Sequence, residues 1–295
     1  MVLPEPSIVR QAAQTAAVCA EHLRLPLHSR VWRGTSGDLA GHGTGASMDF
    51  QDHRPYFPGD DPRHINWQAY ARTGTYTMKQ FREEVRPTVD VLLDASASMF
   101  LTPQKALRVC ELFHFAIECA LRASARLTIH AQLAGEIILL PVAAVISQRW
   151  IELLAERLSP VPVQPKLTFP KSPSGLHVWI SDLLFPGDPS PCLRSLTGAR
   201  GHAIVLAPYC REEAAPDWSG SCDLWDVESG QKHDRRIGTA EMRRYKHAYE
   251  AHFAAWQEAA RRTRISLARI PSESALDSAL AAEAISVRAV ESVHG

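Results

Sequence analysis

The sequence lacks the marks of several protein classes. Lys+Arg and Asp+Glu both number 32 in its 295 residues, so neither sign of charge dominates. That removes the basic footprint of a nucleic-acid binder and the polybasic tract that anionic lipid attracts. The cysteines Cys19, Cys110, Cys119, Cys192, Cys210 and Cys222 form no Cys-x-x-Cys pair, so no zinc site or dithiol redox motif is indicated. Several sit in apolar runs, the setting of buried free thiols. That use of cysteine points to a reducing compartment and a cytoplasmic protein. The first twenty residues carry Glu5 and Gln11 and no apolar h-region, so no signal peptide is expected. The longest apolar run, Ile137 to Ile146, is broken by Pro141 and is far too short to span a bilayer.

Familiar catalytic signatures are missing as well. Residues 33–48 are Gly-rich, but no Gly-Lys-Ser/Thr accompanies them, so they read as a loop and not as a phosphate cradle. There is no Gly-x-Ser-x-Gly elbow. His247 and His252 are five apart, about 500° around a helix, so they share no face and read as solvated. What is present is an ordinary globular balance, 45% hydrophobic and 22% charged. A chain of this length buries roughly three quarters of its unfolded surface and needs no staples.

The pattern of the chain predicts an α/β fold. Residues 6–23 read as a helix. From Val89 onward strands and helices alternate. Val89–Leu93 is a buried strand, 104–123 a helix, and 127–133 with 136–140 a hairpin turned at Ala134-Gly135. Residues 147–158 read as a helix, and 176–180, 203–207 and 222–227 as strands. Residues 240–262 carry Met242, Tyr245, Tyr249, Phe253 and Trp256 at helical spacing. A last strand at 265–270 and helix at 274–282 follow. Such alternation argues a mainly parallel sheet with helices on both faces. Its ligands bind beyond the carboxyl ends of the strands, where strand order reverses.

Two strands end in carboxylates. Val89–Leu93 runs into Asp94, Ser96 and Ser98, and 176–180 runs into Ser181-Asp182. A carboxylate and two hydroxyls at a strand end are oxygen ligands of the kind a hard cation such as Mg²⁺ takes. Asp94, Ser96, Ser98 and Asp182 are therefore the candidate metal ligands, and Asp94 and Asp182 are expected to converge. Without a metal, the same residues would cap the following helix and tie its loop.

Residues 49–73 include Arg-Pro-Tyr-Phe-Pro-Gly-Asp-Asp-Pro-Arg-His-Ile-Asn-Trp and then Ala-Arg-Thr. With Leu92–Met99 they resemble the domain of unknown function 58 (DUF58) family, whose members have a von Willebrand factor A-like domain. Ile180-Ser181-Asp182 and Asp226-Val-Glu-Ser-Gly230 resemble the family in kind and order. Asp49 and Asn66 depart from its usual Glu and Asp. The resemblance implies a von Willebrand A-like (Rossmann-like) domain over 88–290. The N-terminal family-specific segment, 1–87, would hold the first helix, the Gly-rich loop and the charged stretch. It also implies a metal-ion-dependent adhesion site. That site takes a further Thr, for which the only well-placed hydroxyl here is Ser147, at the start of the 147–158 helix.

The charged stretch sets Asp49, Asp52, Asp60 and Asp61 against Arg54, Arg63 and Arg72, beside Tyr56 and Trp67. It reads as an ion-paired buttress with both aromatics buried against the sheet. The function expected is a non-enzymatic protein-interaction module, with Mg²⁺ or another divalent cation as its cofactor. The resemblance implies a MoxR-type AAA+ ATPase as companion, acting on a client protein that the sequence does not name. The alternative is a metal-dependent hydrolase using the Asp94 and Asp182 oxygens. It would need a general base beside the metal, and the Asp94 loop contains no His.

Overall fold

A computed structural model describes residues 3–27, 48–59, 61–83, 87–133, 135–157, 175–197, 202–227 and 230–293. The chain divides into two compact units, 1–30 with 87–295, and 31–86. The Gly-rich segment lies almost wholly outside the described residues, as does Asp60.

Helix α1 (Pro6–His22) starts with proline, whose missing N–H is no loss in a first turn, and buries Val9, Ala12, Ala16 and Cys19 along one face. Strand β1 (Leu23–Arg24) follows and pairs antiparallel with Glu291–Ser292. In the smaller unit, β2 (Met48–Pro55) pairs antiparallel with Thr77–Glu83, with a register shift between Phe50 and Asp52. Between them stands α2 (Trp67–Thr73). Asn66 caps it by accepting from the Ala69 N–H at 3.2 Å, and Gly74 ends it at φ 68°, a conformation glycine adopts without steric cost. Thr77–Glu83 is β3.

The larger unit is built on one six-stranded sheet. Its elements run β4 (Thr88–Asp94), α3 (Pro103–Arg122), β5 (Arg126–Leu133), β6 (Glu136–Leu139), α4 (Val142–Ile146), α5 (Trp150–Ala155) and β7 (Leu176–Ile180). Then come α6 (Pro189–Thr197), β8 (His202–Tyr209), α7 (Arg211–Ala214), β9 (Gly220–Trp225) and β10 (Lys232–Ile237). The chain closes with α8 (Thr239–Thr263), β11 (Ser266–Pro271), α9 (Leu276–Glu283) and β12 (Glu291–Ser292). Strand order across the sheet is β11-β8-β7-β4-β5-β6, and every neighbouring pair is parallel except β5 with β6. The chain builds outward from β4 to β6, then returns to the other side of β4 with β7. The β4/β7 boundary is therefore the switch point.

Helices cover both faces. Leu92, Trp179, Val205 and Leu267 pack with Leu193 and Leu196 of α6 and with Tyr249, Phe253 and Trp256 of α8. On the opposite face α3 packs on the sheet, and α1 packs on α3. Strand β4 is buried on both sides, as a central parallel strand is. Its one internal acid, Asp90, faces His177 of β7, 3.3 Å away.

Several expectations are corrected. Residues 1–87 are not one segment, because the apolar face of α1 is buried on α3 and takes the helix into the sheet unit. The helix expected over 147–158 is the shorter α5 (Trp150–Ala155), set apart from the preceding α4 by a break where Gln148 takes φ 63°. Ser147 is thus the C-cap of α4, with its hydroxyl on the Ala144 carbonyl at 3.3 Å. The strand at 220–225 is half of a separate hairpin with β10. No helix among the described residues is long and apolar enough to cross a membrane. All six cysteines are free thiols.

Candidate functional site at the sheet switch point

Strands β4 and β7 run side by side in parallel with Leu93 opposite Ile180. That register brings Asp94 and the Ser181-Asp182 pair to the same end of the sheet. The link between them is direct: the Ser181 hydroxyl donates to Asp94 Oδ2 at 2.7 Å. The Ser96 backbone N–H donates to Asp94 Oδ1 at 3.0 Å, which folds the loop back over the strand end. The Ser96 and Ser98 hydroxyl oxygens lie 3.2 Å apart. Asp94, Ser96 and Ser98 are thus one cluster, and Asp182 adjoins it from the next strand.

Charge is treated differently at the two acids. Asp94 is 8% exposed. Burial, and then the nearby Asp182 carboxylate, push its carboxyl up to about 6 against the lowering effect of the Ser181 and Ser96 hydrogen bonds. Asp182 is 3% exposed and its Oδ2 accepts from the ammonium of Lys105 at 2.8 Å. Its Oδ1 accepts from the Leu184 N–H at 3.1 Å, and its own N–H points at Met99 Sδ, 3.1 Å away.

Lys105, in the first turn of α3, is completely buried. Its ammonium also donates to Glu213 Oε1 at 2.5 Å. Burial works against the charged form, but Asp182 and Glu213 outweigh it, and the net shift of the lysine is upward. Glu213 in turn caps α7 by accepting from the Cys210 N–H at 2.9 Å, and Tyr245 of α8 donates to its backbone carbonyl at 2.7 Å. One side chain of α3 therefore ties together the loops that follow β7 and β8.

Sequence reasoning missed Lys105, Glu213 and the bridging role of Ser181. Ser181 had a signal, its place beside Asp182 at a strand end. Lys105 and Glu213 had none, because their partners are remote in sequence. The reading of His252 as solvated is also corrected. Its Nε2 lies 2.8 Å from the Leu183 carbonyl oxygen and 3.1 Å from Trp256 Nε1. Leu183 itself is fully buried at φ 61°, a left-handed conformation uncommon outside glycine.

The smaller unit does not by itself bury Trp67. Trp67 is 58% exposed and meets Tyr70 and Tyr76 edge-on within its own unit, while Tyr70 and Tyr76 stack at 4.4 Å. Tyr56 is half-buried and tilted against Tyr76. Of the expected ion pairs, Arg63–Asp61 is present at 2.6 Å, on the surface.

The donor set fits a hard divalent ion on Asp94, Ser96 and Ser98. These are oxygen groups, and no cation among the described residues pairs with the buried Asp94 carboxylate. Asp182 differs, since one of its oxygens already accepts from the Lys105 ammonium. Among the described residues no three His, Cys, Asp or Glu side chains gather as a metal-binding group, so any ion here depends on the serine hydroxyls.

The strand order, parallel but for the β5/β6 edge, is that of a von Willebrand A-like (Rossmann-like) α/β fold. Residues 52–136 match the family described as protein of unknown function DUF58, the one that the charged stretch and Leu92–Met99 resemble. That stretch includes Asp94, Ser96, Ser98 and Lys105, but not Asp182. Two solved structures are similar. One is an aerotolerance-related membrane protein from Bacteroides fragilis with multiple mutations to serines, at 16% identity over 59% of this chain and 99% of that one, TM-score 0.29. The other is the conserved hypothetical protein BatB from Bacteroides thetaiotaomicron, at 14% identity over 59% of this chain and 99% of that one, TM-score 0.25. Both likenesses are remote, and the fold assignment rests on the strand order. No curated protein matches the chain.

Proposed function

We propose that the chain is a non-enzymatic protein-interaction module that docks partners at the β4/β7 switch point, with a divalent cation such as Mg²⁺ held by Asp94, Ser96 and Ser98. Asp182 is the adjoining carboxylate. The observation that carries this reading is the convergence of the two strand ends, closed by the Ser181 to Asp94 hydrogen bond. An ion on these oxygens would supply positive charge at a surface loop, and a partner's Asp or Glu would complete its shell. The chain's own residues orient that loop: Ser181 fixes Asp94, and the Ser96 N–H fixes its second oxygen. The companion is a MoxR-type AAA+ ATPase acting with this chain in the cytoplasm on assembly or maturation of a client complex. Support for that partner is the family signature alone.

The test is a binding assay of the purified chain against a MoxR-type ATPase, with Mg²⁺ and with EDTA, alongside Asp94→Asn. Capture that needs Mg²⁺ and fails in Asp94→Asn is expected. Capture indifferent to both changes would leave the loop without a metal role, and no capture at all would remove the partner.

A further inference from the structure

We infer that Lys105 is a tethered cation that competes with a divalent ion for Asp182, so that the switch-point loop has two charge-compensated forms, one closed by the lysine and one by a bound ion. The inference rests on the proposed reading of Asp94, Ser96 and Ser98 as cation ligands. Its ground is geometric. Lys105 is fully buried, and its ammonium lies 2.8 Å from Asp182 and 2.5 Å from Glu213. A buried ammonium is retained only where anions surround it. Asp182 and Glu213 face this one ammonium, and Asp94 adjoins Asp182 on the other side, three carboxylates in sequence around it. Their formal balance is two negative charges, which one divalent ion would cancel.

Position makes the lysine a competitor as well as a counter-ion. It reaches Asp182 from α3, the helix that directly follows the Ser96 and Ser98 loop. The ammonium has three donors on a flexible stem, and its two carboxylate partners sit on different segments, the loop after β7 and helix α7. If Asp182 turns toward an ion beside Asp94, Glu213 keeps the lysine paired. The exchange therefore strands no buried charge. Glu213 reports the change outward, because its backbone carbonyl holds Tyr245 and its side chain caps α7. In this arrangement Lys105 sets how tightly the loop takes an ion.

The test is calorimetric titration with Mg²⁺ and Mn²⁺, paired with thermal melts in EDTA and in each ion. It uses the full chain as wild type, Lys105→Met, Glu213→Gln and the double variant Lys105→Met/Asp94→Asn. Lys105→Met keeps the stem's volume and removes the ammonium. It should bind divalent ion at least tenfold more tightly than wild type. Measurable binding where wild type shows none counts the same way. Its melting temperature should rise with ion by more than that of wild type. Glu213→Gln leaves Lys105 to Asp182 alone and should bind ion no more tightly than wild type.

Equal or weaker ion binding by Lys105→Met overturns the inference. So does a Lys105→Met chain that stays unfolded in saturating ion, since an ion would then be no substitute for the lysine. Tighter binding by Glu213→Gln overturns it as well. The double variant separates this inference from the reading beneath it. If Asp94→Asn abolishes the gain, the ion sits on Asp94 and both stand. If the gain survives, the ion sits at Asp182 and Glu213, the competition stands, and the assignment of Asp94 falls.

Discussion

Asp94 and Asp182 follow adjacent parallel strands and are about equally buried, yet among the described residues a cation meets only Asp182. Asp182 is paired with Lys105, whereas Asp94 is met by a hydroxyl and a backbone amide. Hydrogen bonds satisfy the lone pairs of a buried carboxylate but do not cancel its charge. The upward push on Asp94, to about 6, is the residue of that uncancelled charge. Burial alone thus says little about what an acid does. The sign and source of its compensation separate a structural acid from one poised for a ligand.

The largest effect that would sharpen the contrast is loss of the compensated acid. Asp182→Ala leaves the Lys105 ammonium buried with Glu213 alone. Breaking a buried pair in this way costs about 3–5 kcal/mol, less whatever repulsion is relieved at Asp94. Urea unfolding in EDTA measures it, and a loss below about 1 kcal/mol would mean that Lys105 finds other partners.

Asp94→Asn should act in the opposite direction. The folded carboxyl, near 6, lies above its ordinary value of 3.8, so the protonated form favours the fold. That contribution is complete below about pH 3.8 and is lost as pH rises through about 6. The shift is equivalent to about 3 kcal/mol at most. An amide returns only part of it, because it offers one acceptor oxygen where the carboxylate offered two. In EDTA the variant should exceed wild type by about 1–2 kcal/mol at pH 8 and match it near pH 4. A gain that did not vary with pH would show that charge is not the cause.

An effect of similar size and opposite sign is expected of Ser181→Ala. It removes the donor to Asp94 and the acceptor for the Leu183 N–H, 3.2 Å away. A loss of about 1–2 kcal/mol is expected. The Asp94 carboxyl should also move further up, read as a titrating side-chain carbon signal in NMR. An unmoved titration would mean that the two strand ends are coupled through space and not through this hydroxyl.

The parts legible in the sequence are those fixed by local pattern. The apolar run before Asp94, the stripe on α8 and the hairpin turned at residue 135 stand where periodicity put them. Two strand ends bearing acids pointed to one site, and hydrogen bonding joins them. The misses share a different cause. Lys105 lies in the first turn of a helix, where a lysine is ordinarily solvated, and its burial depends on Glu213, 108 positions away. Trp67 is large, yet within its own small unit its ring partners are Tyr70 and Tyr76, and that unit alone supplies no core for it. Strand β10 has five exposed residues in a row and so shows no apolar alternation to read. In each case a partner elsewhere in the chain, or the lack of a core to fill, decides what local pattern leaves open.

His252 brings proton bookkeeping into the loop. Its Nε2 faces a carbonyl oxygen, that of Leu183, and an indole N–H, that of Trp256. A ring nitrogen either carries a hydrogen or offers a lone pair. Only one of the two neighbours is therefore served at a time. With hydrogen on Nε2 the ring holds the backbone just after Asp182, and the indole goes without. With hydrogen on Nδ1 alone the ring accepts from the core tryptophan, and the Leu183 carbonyl is released. The imidazole is thus a two-position selector between the acid-bearing loop and the packed face of α8. Its tautomer, visible in the ¹⁵N shifts of the ring, reports which of them it is holding.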